Sequence, residues 1–112
     1  MKRGDIYLAY LNPKKGAEVG KIRAVLIIQT DFLNEINHPT IIILPLSTQL
    51  IDNAYPLRYR ITKRDKLQKD SDILCDQIRA ISIDRLKEKL TSLSTNELNQ
   101  IENQVKIILD FI

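Results

Sequence analysis

Two uninterrupted apolar runs constrain this chain more than any other feature: Ala24-Val25-Leu26-Ile27-Ile28 and Ile41-Ile42-Ile43-Leu44-Pro45-Leu46. A strand with water on one side alternates apolar and polar residues. These runs do not, so each reads as a strand covered on both faces. The first spans residues 22–29 and the second residues 40–46. Pro45, with no N–H to give a neighbouring strand, marks a bulge or a sheet edge. A sheet built on such strands needs an apolar cover, and the end of the chain supplies one. Ser94-Thr95-Asn96-Glu97 is a capping box, in which side chain and backbone satisfy each other at a helix start. Leu98, Ile101, Val105, Ile108 and Leu109 then fall on one helical stripe that faces the sheet.

Shorter elements fill the rest. Residues 5–11 set Ile6, Leu8 and Tyr10 against Tyr7 and Ala9 as a strand, stopped by a polar turn over residues 12–16. Residues 31–37 hold a short helical turn, and residues 53–56 form a turn. Residues 57–61 alternate so that Arg58 and Arg60 share one face. Residues 71–81 contain one or two short strands broken near Gln77. A helical turn at residues 84–86 and a strand at 89–93 precede the final helix. No repeat or linker interrupts the pattern. The expectation is one α+β domain over residues 1–112: a small, mostly antiparallel, barrel-like sheet with a C-terminal helix packed on it.

The chain carries a net +3, unevenly spread: residues 1–80 hold 13 Lys/Arg against 9 Asp/Glu, and residues 81–112 hold 4 against 5. Basic groups gather at Lys14, Lys15, Lys21 and Arg23, and again over residues 58–69, which favours a polyanion or an acidic peptide as partner. The one cysteine, Cys75, lies in an apolar stretch and reads as a buried, inert thiol. It offers neither an internal disulfide nor a metal cluster, which fits a reducing cytoplasm. The longest apolar run is too short to cross a bilayer, and no apolar leader follows Met1. The lone His38, beside Pro39, reads as a surface residue with no second imidazole to form an acid–base pair.

Arg23 stands at the mouth of the first buried strand, where a permanent charge is costly to place. Its planar fork of donors suits an anion such as phosphate. Taken singly, it reads better as a structural arginine pairing with Glu18 or Asp76 across the sheet. The order of motifs shifts that balance. Arg3-Gly4-Asp5-Ile6-Tyr7, Leu11-Asn12-Pro13, Gly16-Ala17-Glu18, Gly20-Lys21-Ile22-Arg23, Pro45-Leu46-Ser47-Thr48-Gln49 and Asp76-Gln77-Ile78-Arg79 follow one another over nearly the whole chain.

In that order these blocks resemble the MazF/PemK-type ribonuclease toxins of type II toxin–antitoxin systems. The resemblance implies an SH3-like barrel of the CcdB/PemK kind and a homodimer. It implies a MazE-like antitoxin partner whose acidic segment covers the basic cleft. It also implies a sequence-specific endoribonuclease that cuts single-stranded mRNA with neither metal nor cofactor. The ribose 2′-OH attacks the adjacent phosphorus, leaving a 2′,3′-cyclic phosphate and a 5′-OH. In that scheme Arg23 holds the phosphate, Glu18 is the base, and Ser47 supplies a hydroxyl. Thr48 is the alternative to Ser47, since neighbouring strand residues face opposite sides. Lys14, Lys15 and Lys21 contact flanking phosphates, Gln49 and Gln77 read base edges, and Tyr55 and Tyr59 are stacking candidates. The sequence departs from the family pattern at Ser47 (usually threonine), Ala24 (commonly proline) and Val19 (often glutamine). Two other readings compete: a non-catalytic CcdB-like gyrase inhibitor, which needs no phosphate-handling arginine, and a degenerate member that binds RNA or antitoxin without cutting.

Overall fold

The computed structural model describes residues 1–11, 16–17 and 21–111. Among these the order is β1 (Asp5–Tyr10), β2 (Ile22–Ile27), α1 (Asp31–Glu35), β3 (Thr40–Ser47), β4 (Arg58–Ile61), β5 (Ser71–Leu74), β6 (Arg79–Ser82), a 3-10 turn (Ile83–Arg85), β7 (Leu86–Ser92) and α2 (Thr95–Leu109). Every strand pairing is antiparallel. The ladder runs β4-β5-β3-β2-β1-β7, with β6 pairing the first half of β3. The two ends do not close strand to strand among the described residues. Instead the β4–β5 connection reaches across, Lys66 N donating to Leu90 O and Thr91 Oγ1 to Asp65 Oδ2. The result is a barrel-like sheet with one loosely bridged seam.

The two apolar runs become β2 and β3, side by side at the centre, and side chains on both of their faces are buried. Leu26, Leu44 and Leu46 join Ile6, Ile61, Ile73 and Ile101 in one core. Val25, Ile27, Ile41 and Ile43 point the other way into a second core with Ala9, Leu11 and Ile81. Helix α2 covers the first. Its capping box forms as expected, Ser94 Oγ accepting from Glu97 N and Glu97 Oε1 accepting from Ser94 N. Leu98, Ile101, Val105 and Ile108 face the sheet, but Leu109, the last helical residue before a left-handed Asp110, is exposed. Gln104, outside the apolar set, is buried and donates to Pro56 O and Arg58 O. Among the described residues no helix is long and apolar enough to cross a membrane.

Pro45 lies at neither an edge nor a strand end. It sits inside β3, opposite Val25. Ile42 directs its C=O toward β2, accepting from Ile28 N. Alternation therefore turns Pro45's missing N–H to the opposite side. On that side β3 pairs with β6 through Ile43 and with β5 from Leu46 onward. Proline is tolerated in a central strand because it falls where the partner changes and no ladder bond is required.

A candidate nucleic-acid interface

The β1–β2 register pairs Ala9 with Arg23. The β2–β3 register runs from Ile27–Ile43 to Val25–Pro45, two residues short of Arg23 and Ser47. Ser47 is in turn paired with Asp72 on β5, and Asp72 with Arg60 on β4. Two cross-strand rows result, Ala9–Arg23 and Ser47–Asp72–Arg60, and side chains in a row share a face. Arg23 and Ser47 are far apart in sequence, and the guanidinium of Arg23 reaches the residue just before Ser47.

Arg23 is half-buried and donates from NH1 to Leu46 O at 3.1 Å, which ties the guanidinium to the end of β3. Ser47 is buried, and its Oγ accepts from Gln49 N at 3.2 Å. That bond turns the chain just after the strand and fixes the hydroxyl. Thr48 is exposed and faces the other way, into a cleft of about 750 Å³ at the barrel mouth. Lys21, Arg23, Lys66, Gln68, Lys69 and Ser71 contribute to the same cleft. Arg23 and Thr48 line this cleft together, and Ser47 is not part of its lining. Gln68 and Lys69, on the β4–β5 connection, had no motif to mark them.

The other expected site residues fall as follows. Lys21 lines the cleft. Gln49 and Gln77 do not. Gln49 is exposed just past β3, and Gln77 is half-buried in the β5–β6 turn, where its N–H donates to Leu74 O. Glu18, Lys14 and Lys15 lie outside the described residues. Tyr55 is exposed, whereas Tyr59 packs on the first core, and burial raises its hydroxyl pKa. His38 is half-buried in the connection before β3. Cys75 is buried, and burial pushes its thiol up to about 12, so it stays protonated and unreactive.

The basic stretch at residues 58–69 is less open to a polyanion than its charge count suggests. Arg58 and Arg60 both bind Asp72, at 3.0 and 2.7 Å, and Arg60 also binds Asp52. Arg64 binds Glu97 at 2.7 Å, and Lys66 approaches Glu88 at 3.6 Å. Asp72 is the hub: its side chain is only 1% exposed, and it also accepts from Ile51 N. Burial alone would raise its pKa, but the hydrogen bonds from Arg60, Ile51 N–H and Arg58 outweigh that and hold it below the usual carboxylate value. Glu97 is likewise lowered, chiefly by Arg64.

Comparison with known proteins decides the family. A model of the PemK-like, MazF-like toxin of type II toxin–antitoxin systems matches residues 2–109. The chain belongs to this family. It is 44% identical over 110 residues to Endoribonuclease MazF of Staphylococcus saprophyticus, covering 97% of this chain and 91% of that protein. The fold is shared with MazF of Deinococcus radiodurans, with a TM-score of 0.79 at 19% identity over 98% of this chain and 96% of that one. It is shared too with a mycobacterial endoribonuclease solved in complex with its cognate antitoxin, with a TM-score of 0.75 at 18% identity over 100% and 95% of the two chains. The family match spans the ordered motif blocks, including Arg23 and Ser47.

Proposed function

We propose that this chain is the endoribonuclease toxin of a toxin–antitoxin pair, cutting single-stranded RNA at a short sequence by 2′-OH attack and without a metal ion. The observation that carries this reading is Arg23, tied through Leu46 O to the end of β3 just before Ser47, in a cleft with lysines on its wall. A phosphodiester held there meets a planar cation and a fixed hydroxyl. As the 2′-oxygen bonds to phosphorus, charge grows on the non-bridging oxygens, where donors already in place are most effective. A guanidinium keeps its proton at neutral pH, so its part is charge stabilisation rather than proton delivery. Glu18 is the base that takes the 2′-OH proton. The 5′-oxygen leaves and takes a proton from solvent water, Glu18 returns the proton it took to solvent, and the products carry a 2′,3′-cyclic phosphate and a 5′-OH. The functional unit is a cytoplasmic homodimer, and a MazE-like antitoxin segment of acidic character covers the basic cleft.

The test is cleavage of a long unstructured RNA by the purified protein in EDTA, with the ends mapped. Discrete cuts with cyclic-phosphate and 5′-OH ends are expected, and one 2′-deoxy substitution at a cut site should abolish that cut. Cleavage that needs added metal, or that tolerates the 2′-deoxy sugar, overturns the mechanism. Absence of any cutting overturns the enzyme and moves the reading to a binding toxin.

The same assay separates the two hydroxyls. On the reading that Ser47 supplies the hydroxyl and Thr48 does not, Ser47→Ala is expected to slow single-turnover cleavage about 10²-fold, the usual cost of one oxyanion donor. Thr48→Ala should stay within about threefold. Glu18→Gln should remove the acidic limb of the pH–rate profile. Equal activity of Ser47→Ala and wild type would take that hydroxyl out of the mechanism.

A further inference from the structure

We infer that Asp72 is a positioning residue for substrate selection: through Arg58 and Ile51 it holds the segment between β3 and β4 as the wall of a recess for one unpaired nucleobase beside Ser47. The inference rests on the ribonuclease reading and adds a device within the same face.

Asp72 is the residue next to Ser47 in the cross-strand row, and its carboxylate is turned away from water. It fixes the segment at two points. Directly, Oδ2 accepts from Ile51 N at 2.9 Å. Indirectly, Arg58 NH1 is shared between Asp72 Oδ2 and Gln49 O, both at 3.0 Å. The far end of the segment is held separately by Gln104 at Pro56 O and Arg58 O. Between these anchors lies a recess of about 210 Å³ whose lining includes Asp52, Asn53, Tyr55 and Arg58, with Asp72 at its floor. That volume is below the range of drug-sized ligand sites and suits a single flat heterocycle. Tyr55 is 70% exposed at its edge and offers a ring for stacking. Asn53 and Asp52 offer an amide and a carboxylate for a base edge. Arg58 and Arg60, committed to Asp72, are held as walls instead of being spread toward phosphates.

A group that acts by shaping a base recess changes which RNA is bound, and so moves KM and selectivity while leaving saturated turnover alone. The experiment compares wild type, Asp72→Asn and Arg58→Gln by mapping all cuts in one long RNA. Each protein is also assayed for kcat and KM on the preferred oligonucleotide and its single-base variants. Arg58→Gln removes the indirect anchor from the solvent side and keeps the test alive if Asp72→Asn does not fold. Both variants are expected to raise KM about fivefold to tenfold with kcat within about twofold. Both should lose about tenfold of discrimination at one nucleotide flanking the cut, a size set by one lost base contact. Unchanged selectivity and KM with only a lower melting temperature would make Asp72 purely structural and overturn the inference. A fall in kcat at constant KM would overturn it as well. Wild type that cuts while the variants select the same sites defeats this inference alone; wild type that does not cut defeats it together with the ribonuclease reading.

Discussion

Arg23→Ala is expected to lower single-turnover RNA cleavage by at least about 10³-fold, the range seen when a charge-stabilising arginine is removed from phosphoryl chemistry. The side chain sits at the start of a central strand, tied to Leu46 O, so its guanidinium is placed before substrate arrives. Placement matters because the stabilisation grows where water is excluded, and a donor already oriented pays no reorganisation in the transition state. Arg23→Lys separates charge from geometry. An ammonium keeps the charge and loses the planar fork, so about 10–100-fold of the rate should be lost. RNA binding, read by anisotropy, should weaken far less than the rate falls, since many phosphates share the binding energy. Circular dichroism should remain that of wild type, because Arg23 lies at the rim and not inside either core. Full activity of Arg23→Ala would remove the arginine from the chemistry and with it the central support for the enzyme.

Much of this arrangement was legible in the sequence where the signal is local. The runs at Ala24–Ile28 and Ile41–Leu46 show no alternation, and both lie in central strands buried on two faces. The capping box at Ser94 and Glu97 needs only four residues to be recognised, and it starts α2 where expected. Legibility fails where a residue's role depends on a distant partner. Asp72, in Ser71-Asp72-Ile73-Leu74, has the look of a solvent-facing strand residue. Its partners Ile51, Arg58 and Arg60 come from other segments, and only the sheet brings them in. The basic stretch at residues 58–69 misleads for the same reason, since a charge count does not show Glu97 arriving from α2 to take Arg64. Gln104 interrupts the apolar stripe of α2, yet it is buried because Pro56 and Arg58 present carbonyls that need a donor. Ser47 against Thr48 is intermediate. Alternation puts the two on opposite faces, and which of them serves Arg23 depends on a distant strand, β2, whose pairing with β3 runs only as far as Val25 and Pro45.

Asp72→Ala is expected to cost about 3 kcal/mol of stability at pH 7, a large part of the roughly 5–15 kcal/mol available to a domain. The figure sits at the lower end for a broken buried ion pair because Arg58 and Arg60 keep 21% and 38% exposure and can turn to water. What is lost is the anchor of Ile51 N–H and the hydrogen bonds to both guanidinium groups. At roughly 4–8 °C per kcal/mol, the melting temperature should fall by more than about 10 °C. The pH dependence identifies the cause. Asp72 titrates below 3.8 in the folded protein, because the bonds it accepts outweigh its burial. A carboxyl with a depressed folded pKa contributes its full stability above the unfolded value and loses it as pH falls through the folded one. Glu97 and Asp31 are shifted in the same direction, so wild type should hold its stability from pH 7 to about 5 and weaken below about 4. Asp72→Ala lacks one of these contributions and should decline less steeply. The gap between the two proteins, measured by denaturant unfolding, should therefore narrow as pH drops below 3.8. A gap of the same size at pH 7 and in acid would place the cost in lost packing, and the carboxylate charge would not be what fastens the segment between β3 and β4.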